Sequence, residues 1–267
     1  MWSVGISVSP SLEATRLGYD DRQVNRIVVR MAQYFLDQEM RVIFGHDWRD
    51  DGVMRAVADF ACVVAARVET GEERERRQRS DETAKVAKER MLNLVPTERQ
   101  FLNRAALEAE RESGGVLRVI PAAEAQFHVS ESERKQVEFR VSSEEKKELR
   151  NVELTRLRHY LTSLLNPGCR VCFGGKVDGF QGKEPGVIEE ARLALLYEKP
   201  LYLMGGFGGA TQSFGIDPGR QGMSYWNAMN GLTPNQKREL FETTDVERAI
   251  GLISRGIDSC KNRETCT

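Results

Sequence analysis

Short apolar runs alternate with longer stretches of helical periodicity along this chain. Residues 3–8 form a short apolar run that ends at a Ser-Pro-Ser turn, which is typical of a buried strand. Apolar residues then recur at helical spacing over 23–38, and the same pair of patterns follows again, a strand over 41–44 and a helix over 53–66. This alternation predicts an α/β fold, with a Rossmann-like parallel sheet and helices on both of its faces.

The same alternation resumes after a long charged stretch in the middle of the chain. Three more strands are predicted over 116–120, 170–173 and 201–204. Three more helices are predicted over 152–165, 187–197 and 246–255. The sequence therefore predicts at least five parallel strands, in one domain that spans residues 1–267.

The charged stretch has little apolar surface to bury. Residues 69–111 carry ten acidic and ten basic side chains, with few large apolar residues before Met91. Such a composition favours solvated helices. We predict a charged helical insertion over 67–115 that leaves the sheet. An exposed charged face is the simpler interpretation, and a regulatory or dimerising arm is the alternative.

Glycines cluster in the C-terminal part of the chain, where 13 of the 23 lie between Gly168 and Gly222. Glycine is needed where the backbone takes a positive φ or approaches a ligand closely. In an open parallel sheet, ligands bind at the carboxyl ends of the strands, near the point where the strand order reverses. The candidate site is therefore formed by loops that follow the predicted strands, at 5–9, 45–49, 174–190 and 205–209.

The segment 174–190 is a glycine-rich loop that runs directly into a predicted helix. Free backbone N–H groups and the positive end of the helix dipole at such a helix start favour a phosphate group. Lys176 and Lys183 would add positive charge there. Glu189 and Glu190 fit the first turn either as simple helix-start acids or as ligand-binding groups. The spacing alone leaves both interpretations open.

Several aromatic residues lie in or after the last glycine loop, and a histidine lies in the loop after the second strand. The aromatic residues are Phe207, Phe214, Tyr225 and Trp226. They would either form a lid that stacks on a base or pack the loop onto the sheet edge. His46 is interpreted as a pocket-wall or loop residue rather than a catalytic base.

Charge and hydropathy exclude several classes of protein. The 39 Lys and Arg against 40 Asp and Glu give a formal net charge of −1, which argues against general binding to nucleic acid or to an anionic membrane. The longest apolar run, residues 60–66, is far shorter than the roughly 20 residues that cross a bilayer. The sequence has no recognisable secretory signal, so we expect a cytoplasmic protein.

The five cysteines predict reduced thiols rather than disulfides, because their number is odd and no secretory signal accompanies them. Cys169 and Cys172 have the spacing of a metal-binding pair. They straddle the start of a predicted strand, however, and no second Cys or His pair has ligand spacing. We predict no metal site and no resident cofactor.

Two blocks of the sequence resemble a known superfamily. The segment 170–190, which ends in Pro-Gly-Val-Ile-Glu-Glu, and the segment 199–209, Lys-Pro-Leu-Tyr-Leu-Met-Gly-Gly-Phe-Gly-Gly, are similar to the SLOG superfamily of DprA/Smf and LOG-type nucleotide-binding proteins. The resemblance spans about 1–66 and 116–258. It is closest to the SLOG domains of bacterial nucleotide-signalling and antiphage systems, such as the effector of Thoeris.

The LOG-type phosphoribohydrolases in this superfamily carry the motif PGGxGTxxE, preceded by a helix with an arginine. Laid onto this chain, the motif glutamate falls on Glu190 and the helix arginine on Arg158, which implies that they assist cleavage of an N-glycosidic bond. The chain departs from the motif where Val187 replaces the threonine and a Gly-Lys-Glu stretch from Gly182 replaces the first PGG. A LOG-like hydrolase of a nucleoside monophosphate or an NAD-like substrate is the alternative function.

The antiphage SLOG domains imply a different use of the same pocket, as a sensor of a nucleotide or an NAD-derived, ADP-ribose-type signal. Arg170, Lys176 and Lys183 would pair with a pyrophosphate, and Glu190 would accept hydrogen bonds from ribose hydroxyls. The expected partner is a nucleotide-derived small molecule, and we expect a homo-oligomer. DNA handling in the manner of DprA is a weaker third interpretation, because the balanced charge offers no basic stripe.

The predicted site combines the loops with the resemblance. The predicted catalytic residues are Arg158 and Glu190. The predicted ligand-binding residues are Gly5, Ser7, Ser9, Gly45, Asp47, Arg49, Arg170, Gly174, Gly175, Lys176, Lys183, Gly186, Glu189, Gly205, Gly206 and Phe207.

Overall fold

The computed structural model describes residues 1–45, 48, 52–75, 89–95, 104–121, 143–163, 165–180, 182, 184–216 and 224–264. The strands are β1 (Ser3–Ser9), β2 (Arg41–Phe44), β3 (Met91–Val95), β4 (Leu117–Pro121), β5 (Cys169–Gly174) and β6 (Leu201–Met204). They are all parallel and form one six-stranded sheet in the order β4-β3-β2-β1-β5-β6. The predicted α/β fold with a Rossmann-like parallel sheet is confirmed.

Helices connect these strands and cover the sheet. In the part of the chain that the structure describes they are α1 (Leu12–Arg16), α2 (Asp21–Asp37), α3 (Val53–Glu75), α4 (Arg104–Glu112), α5 (Ser143–Ser163), α6 (Gly186–Leu196), α7 (Gly209–Ile216), α8 (Pro234–Glu242) and α9 (Val246–Glu264). Short 3₁₀ turns lie at Gly205–Phe207 and Tyr225–Asn227.

The two faces of the sheet are packed by different helices. On the first face, residues of α2, α3 and α9 pack against alternate strand residues such as Val4, Phe44 and Phe173 in one large core. On the second face, α5 packs on Ile43, and α6 packs on Cys172. Because side chains alternate between the faces of a strand, β2, β3, β5 and β6 contribute to both cores.

The segment 67–115 is not a purely helical insertion outside the sheet, and that prediction is corrected. It contains β3, which pairs with β2 on one side and β4 on the other, so it supplies a central strand. It also contains α4, whose Ala106 and Ala109 are buried. β3 has five residues, with Asn93 among four apolar ones, and directly follows two charged residues. Such a short buried strand gives little periodicity by which to recognise it. Residues 76–88 and 96–103 lie outside the described residues.

The strand order places two neighbouring strands at a crossover. β1 lies between β2 and β5, and the chain passes from β4 at one edge to β5 on the other side of β1. Chain connections therefore leave β1 and β5 in opposite directions, which opens a crevice at their carboxyl ends. On the second face, β1 presents only small residues, Ser3, Gly5, Ser7 and Ser9. The register partners of the last three are Arg170, Cys172 and Gly174. This small-residue row leaves space between the sheet and helices α5 and α6.

Candidate functional site

The carboxyl ends of β1 and β5 meet in a tight backbone contact. Gly174 and Gly175 have φ values of 64° and 92°, in the left-handed region that favours glycine. The N–H of Gly175 donates to the carbonyl oxygen of Ser9 at 2.7 Å, and a Cβ on Gly174 would lie 2.7 Å from the same oxygen. The N–H of Ala210 in α7 donates to the carbonyl oxygen of Gly175 at 2.8 Å. The glycines here hold the strand ends and α7 together.

A buried arginine lies in the space beneath these strand ends. The side chain of Arg170 is only 1% exposed. Its Nη1 donates to Glu190 Oε2 at 2.5 Å and to Ser7 Oγ at 2.9 Å, and its Nη2 donates to Thr162 Oγ1 at 3.2 Å. A Cβ at Gly5 would lie 3.2 Å from the guanidinium carbon, so glycine at this position leaves room for the arginine.

One oxygen of the Glu190 carboxylate is hydrogen-bonded, and the other is open. Ser7 Oγ donates to Oε2 at 2.5 Å, so this oxygen accepts from both Ser7 and Arg170. Its partner oxygen Oε1 accepts no hydrogen bond from the residues that the structure describes, and it lies 3.6 Å from the position of a Cβ on Gly45. The Glu190 side chain retains 12% exposure. One carboxylate oxygen therefore faces the carboxyl end of β2 and is available to a ligand.

A second arginine–glutamate pair lies at the start of α6. Arg158 of α5 donates from Nη1 to Glu189 Oε2, and both side chains are 11% exposed. A Cβ on Gly186 would lie 2.5 Å from Arg158 Nη2, so the guanidinium lies directly on the first residue of the helix. Pro185 is the N-cap and supplies no side-chain cap. Arg158, Glu189 and the free amides of the first turn therefore lie together.

A third pair extends this charged cluster outward. Arg192 Nε lies 3.1 Å from Glu184 Oε2 at the side of α6. Burial raises the pKa of Glu184, and the neighbouring Glu189 raises it further, while Arg192 opposes both effects. The start of α6 therefore carries alternating charges, with carboxylates close to both arginines.

The structure brings together part of the predicted site. Around the crevice lie Gly5, Ser7, Ser9, Gly45, Arg158, Arg170, Gly174, Gly175, Gly186, Glu189 and Glu190. Lys176 is half-buried in the loop after β5. Asp47, Arg49 and Lys183 lie outside the described residues, as does His46.

Close packing explains the glycines of the loop at 205–209. A Cβ at Gly205 would lie 2.3 Å from the Phe241 ring, and one at Gly206 would lie 2.5 Å from the carbonyl oxygen of Thr243. The side chain of Phe207 is buried in the first-face core, with its ring centroid 4.9 Å from that of Tyr19. These glycines permit close approach to α8, and Phe207 points into the core rather than into an open crevice.

The aromatic residues of the C-terminal part pack at the sheet edge. Trp226 donates from Nε1 to the carbonyl oxygen of Gly215 at 2.9 Å and lies edge-on to Phe241, with 5.3 Å between ring centroids. Tyr225 is buried in the second-face core, against which Phe214 packs. This arrangement favours the packing interpretation of these residues over a base-stacking lid.

The cysteines of β5 do not form a joint site. Cys169 belongs to the first-face core and Cys172 to the second-face core, because residues three apart on a strand point to opposite faces. Burial raises the pKa of the Cys172 thiol to about 12. Among the described residues, no group of three His, Cys, Asp or Glu side chains is placed to hold a metal ion.

Two elements of the site were not anticipated from the sequence. Thr162 of α5 accepts from Arg170 and donates to the carbonyl oxygen of Arg158 at 3.1 Å. Asn93 of β3 is fully buried and bonds to both Gly45 and Trp48. A polar residue inside the apolar run of β3 is a signal that would have identified Asn93 had the strand been recognised.

Comparison with known families agrees with this geometry. A family model described as SLOG cluster2 matches residues 1–221, which includes all six strands and the three arginine–glutamate pairs of the site. No curated protein matches the chain. Within the described ranges, no helix is both long enough and apolar enough to cross a membrane. The chain therefore belongs to the SLOG family, and this membership indicates that it binds or processes a nucleotide-related ligand.

Proposed function

We propose that this chain is a sensor that binds a nucleotide or an NAD-derived, ADP-ribose-type signalling ligand in the crevice at the carboxyl ends of β1, β2 and β5. One observation carries the proposal. Glu190 is fixed by Arg170 and Ser7 through one carboxylate oxygen, while the other oxygen faces Gly45 and accepts no hydrogen bond within the described chain. A carboxylate oxygen fixed in this way is an acceptor for ligand hydroxyls.

The buried Arg170 explains why this acceptor is held so firmly. A charged group taken out of water is tolerated only when it is paired and hydrogen-bonded, and Arg170 has such partners in Glu190, Ser7 and Thr162. Nη1 donates to Glu190 and Ser7 and Nη2 donates to Thr162, whereas the buried Nε has no partner among the described residues. The side chain is only 1% exposed, so it offers a ligand little access. In our proposal Arg170 therefore orients Glu190, and it does not pair with a ligand pyrophosphate as the sequence led us to expect.

The phosphate groups of the ligand are assigned to the start of α6. The first-turn amides of this helix have no side-chain cap, and the guanidinium of Arg158 lies on Gly186. Amides at a helix start and an arginine both favour phosphate oxygens. The distance from this helix start to Glu190 is one helical turn, so a single ligand with a ribose and a phosphate can reach both.

The biological context of the proposal is antiphage defence in bacteria. It rests on the resemblance of segments 170–190 and 199–209 to SLOG domains of such systems, together with membership of the family. In this context we expect the ligand to change the assembly of the chain, as a cytoplasmic homo-oligomer. Size measurement with and without ADP-ribose tests this expectation, and an unchanged mass at saturation would contradict it.

A LOG-like hydrolase is the second candidate. The same free oxygen of Glu190 that would accept from a ribose hydroxyl would also stabilise positive charge on the ribose as an N-glycosidic bond breaks. The two candidates differ in the fate of the ligand. Incubation of AMP and NAD with the protein, followed by chromatography of the free base, separates them: released base supports the hydrolase, and intact nucleotide supports the sensor.

Calorimetric titration with AMP, ADP-ribose, cyclic ADP-ribose isomers and NAD tests binding, and the variant Gly45→Ala tests the location. The added methyl would lie 3.6 Å from Glu190 Oε1 and 3.4 Å from Leu161 Cδ1, which are ordinary contacts that leave the fold intact. It would occupy the space in front of the free oxygen, so we expect affinity to fall by about tenfold or more.

Gly251→Ala is the matched control for this experiment. A Cβ at Gly251 meets nothing within 4 Å, and the residue lies on α9, away from the crevice. We expect this variant to bind as the wild type does. Absence of binding to every ligand at high micromolar concentration, or equal binding by Gly45→Ala and the wild type, would overturn the proposed function.

A further inference from the structure

A buried amide fixes the carboxyl end of β2. Asn93 of β3 is fully buried, and its register partner on β2 is Phe44. Its Nδ2 donates to the carbonyl oxygen of Gly45 at 2.9 Å, and its Oδ1 accepts from Trp48 Nε1 at 2.8 Å. One side chain therefore holds both the first residue after β2 and the indole ring three residues further along.

The packing of the core gives no reason for an amide at this position. The other described side chains of β3, Met91, Leu92 and Val95, are all buried and apolar. A buried amide is tolerated only when it is hydrogen-bonded, and its bonds add little net stability compared with an apolar side chain of similar size. Both partners of Asn93 belong to the segment that follows β2. The two hydrogen bonds to this segment therefore account for an amide at position 93.

Gly45, to which Asn93 donates, forms one wall of the crevice. Gly45 faces the second face of the sheet, where a Cβ would lie 3.6 Å from Glu190 Oε1 and 3.4 Å from Leu161 Cδ1. Asn93 and Trp48 lie on the opposite side, since Phe44 and Trp48 belong to the first-face core. Asn93 therefore reaches the crevice only through the backbone of Gly45, and it does not face a ligand bound at Glu190.

We propose that Asn93 is a positioning residue that sets the gap between the Gly45 backbone and the free oxygen of Glu190. This inference rests on the proposed function and adds a selectivity to it. A gap of fixed width beside a carboxylate oxygen admits a hydroxyl group that donates to it, and it leaves the oxygen unsatisfied when the hydroxyl is missing. The site then prefers ribose to deoxyribose, and this preference depends on Asn93.

The test compares AMP and ADP-ribose with their 2′-deoxy forms by calorimetry, on the wild type and on Asn93→Leu. The leucine side chain has a similar size but loses both hydrogen bonds, so the Gly45 segment is released. We expect the ratio of affinities, ribose over deoxyribose, to fall by about fivefold or more in the variant. Asn93→Ser, which is too short to bond Gly45 as the amide does, gives the same comparison if the leucine variant fails to fold.

Asn230 offers a matched control. It is another buried asparagine whose Nδ2 donates to a strand carbonyl oxygen, that of Leu201 at 2.8 Å, and it lies at β6. Asn93→Leu and Asn230→Leu each leave a strand-end carbonyl oxygen without its donor, so both should lower the melting temperature. Asn230→Leu should nevertheless keep the wild-type ratio of ribose to deoxyribose affinities. This ratio separates a positioning role from a loss of stability.

The outcomes of this experiment are distinct. A reduced ratio in the Asn93 variants and a retained ratio in Asn230→Leu support the inference. Tight binding with a wild-type ratio in the Asn93 variants, or no preference for ribose in the wild type, overturns the inference and leaves the proposed binding in place. A wild type that binds none of the four nucleotides overturns the inference, and the proposed function falls as well only if NAD and the cyclic ADP-ribose isomers also fail to bind.

Discussion

At the scale of single residues, the site depends on a guanidinium that is hidden from solvent. Among the described residues, Glu190 is the only carboxylate that bonds to Arg170, and the hydroxyls of Ser7 and Thr162 complete the cluster. Replacing one member of a buried pair leaves the other charge without compensation, whereas removing both is much less harmful. The same residues can therefore be tested for their effect on stability independently of any ligand.

Arg170→Met is expected to lower the free energy of unfolding by about 3–5 kcal/mol, because Glu190 then keeps a buried charge without its partner. The double variant Arg170→Met/Glu190→Leu should lose less than the sum of the two single variants. Urea denaturation of the wild type, Arg170→Met, Glu190→Leu and the double variant measures this double-mutant cycle. Arg30→Met breaks the exposed pair with Glu247 and should cost no more than about 1 kcal/mol. Additive losses in the buried pair would contradict the expectation.

Burial also predicts which thiols react. Burial raises the pKa of Cys172 to about 12 and raises the pKa of Cys169 as well, so neither forms a thiolate at neutral pH. In the variant Cys62→Ser/Cys260→Ser/Cys266→Ser, only these two thiols remain. We expect the folded variant to resist an aromatic disulfide reagent at pH 8 and the urea-unfolded variant to release two equivalents at once. Rapid reaction of the folded protein would contradict their placement in the two cores.

At the scale of elements, local signals predicted some segments and missed others for identifiable reasons. The amphipathic repeat of α2 and the apolar run of β1 are strong and were predicted close to their observed limits. β3 is short and directly follows two charged residues, so only its pairing with β2 and β4 identifies it. α8 carries a capping box between Thr233 and Gln236, a local signal that would have located its start.

The α8 element offers a test of pH dependence. Lys237 is buried, and its ammonium donates to the carbonyl oxygens of Trp226, at 3.1 Å, and Ala228. Burial lowers the pKa of Lys237. Between this lowered value and the ordinary lysine value of about 10.4, the unfolded chain binds more protons than the folded chain, so stability rises with pH across that window.

Comparison with Lys237→Met isolates this effect from the other titrating groups. The variant loses the two hydrogen bonds but has no group that titrates at this position. We expect the stability of the wild type relative to the variant to increase between pH 7.5 and pH 10, as measured by urea denaturation at each pH. A relative stability that falls over this range would contradict a lowered pKa.

At the scale of the whole molecule, the order of the strands decides where the site lies. Local sequence patterns predict individual strands but not their order in the sheet. The loops after the strands were predicted to carry the candidate residues because a parallel sheet gathers its carboxyl ends at one edge, and the role of these residues stays a prediction. A run of glycines, however, does not reveal what approaches it. Gly174 and Gly175 meet Ser9 and α7 at the crevice, whereas Gly205 meets Phe241. Only the tertiary packing distinguishes these cases.

Ligand binding at the crossover should stabilise the whole chain in proportion to its occupancy. At a ligand concentration of about 100 times the dissociation constant, a ligand specific for the folded state adds about 2.7 kcal/mol, which corresponds to a rise in melting temperature of roughly 5–10 °C for a chain of this size. Calorimetric scans with ADP-ribose measure this rise. Gly45→Ala at the same ligand concentration should show a much smaller rise, because its affinity is reduced.

The location of this stabilisation distinguishes the crevice from any other binding surface. Amides at the ends of β1, β2 and β5 and in the first turn of α6 should gain protection from hydrogen exchange when ADP-ribose is bound, since these backbones surround Glu190 and Arg158. Amides of α8 and of the Tyr225–Asn227 turn, which pack at the β6 edge, should change little. Protection centred on α8 with an unchanged crevice would move the ligand to the β6 edge of the sheet, where the aromatic residues would have to bind it.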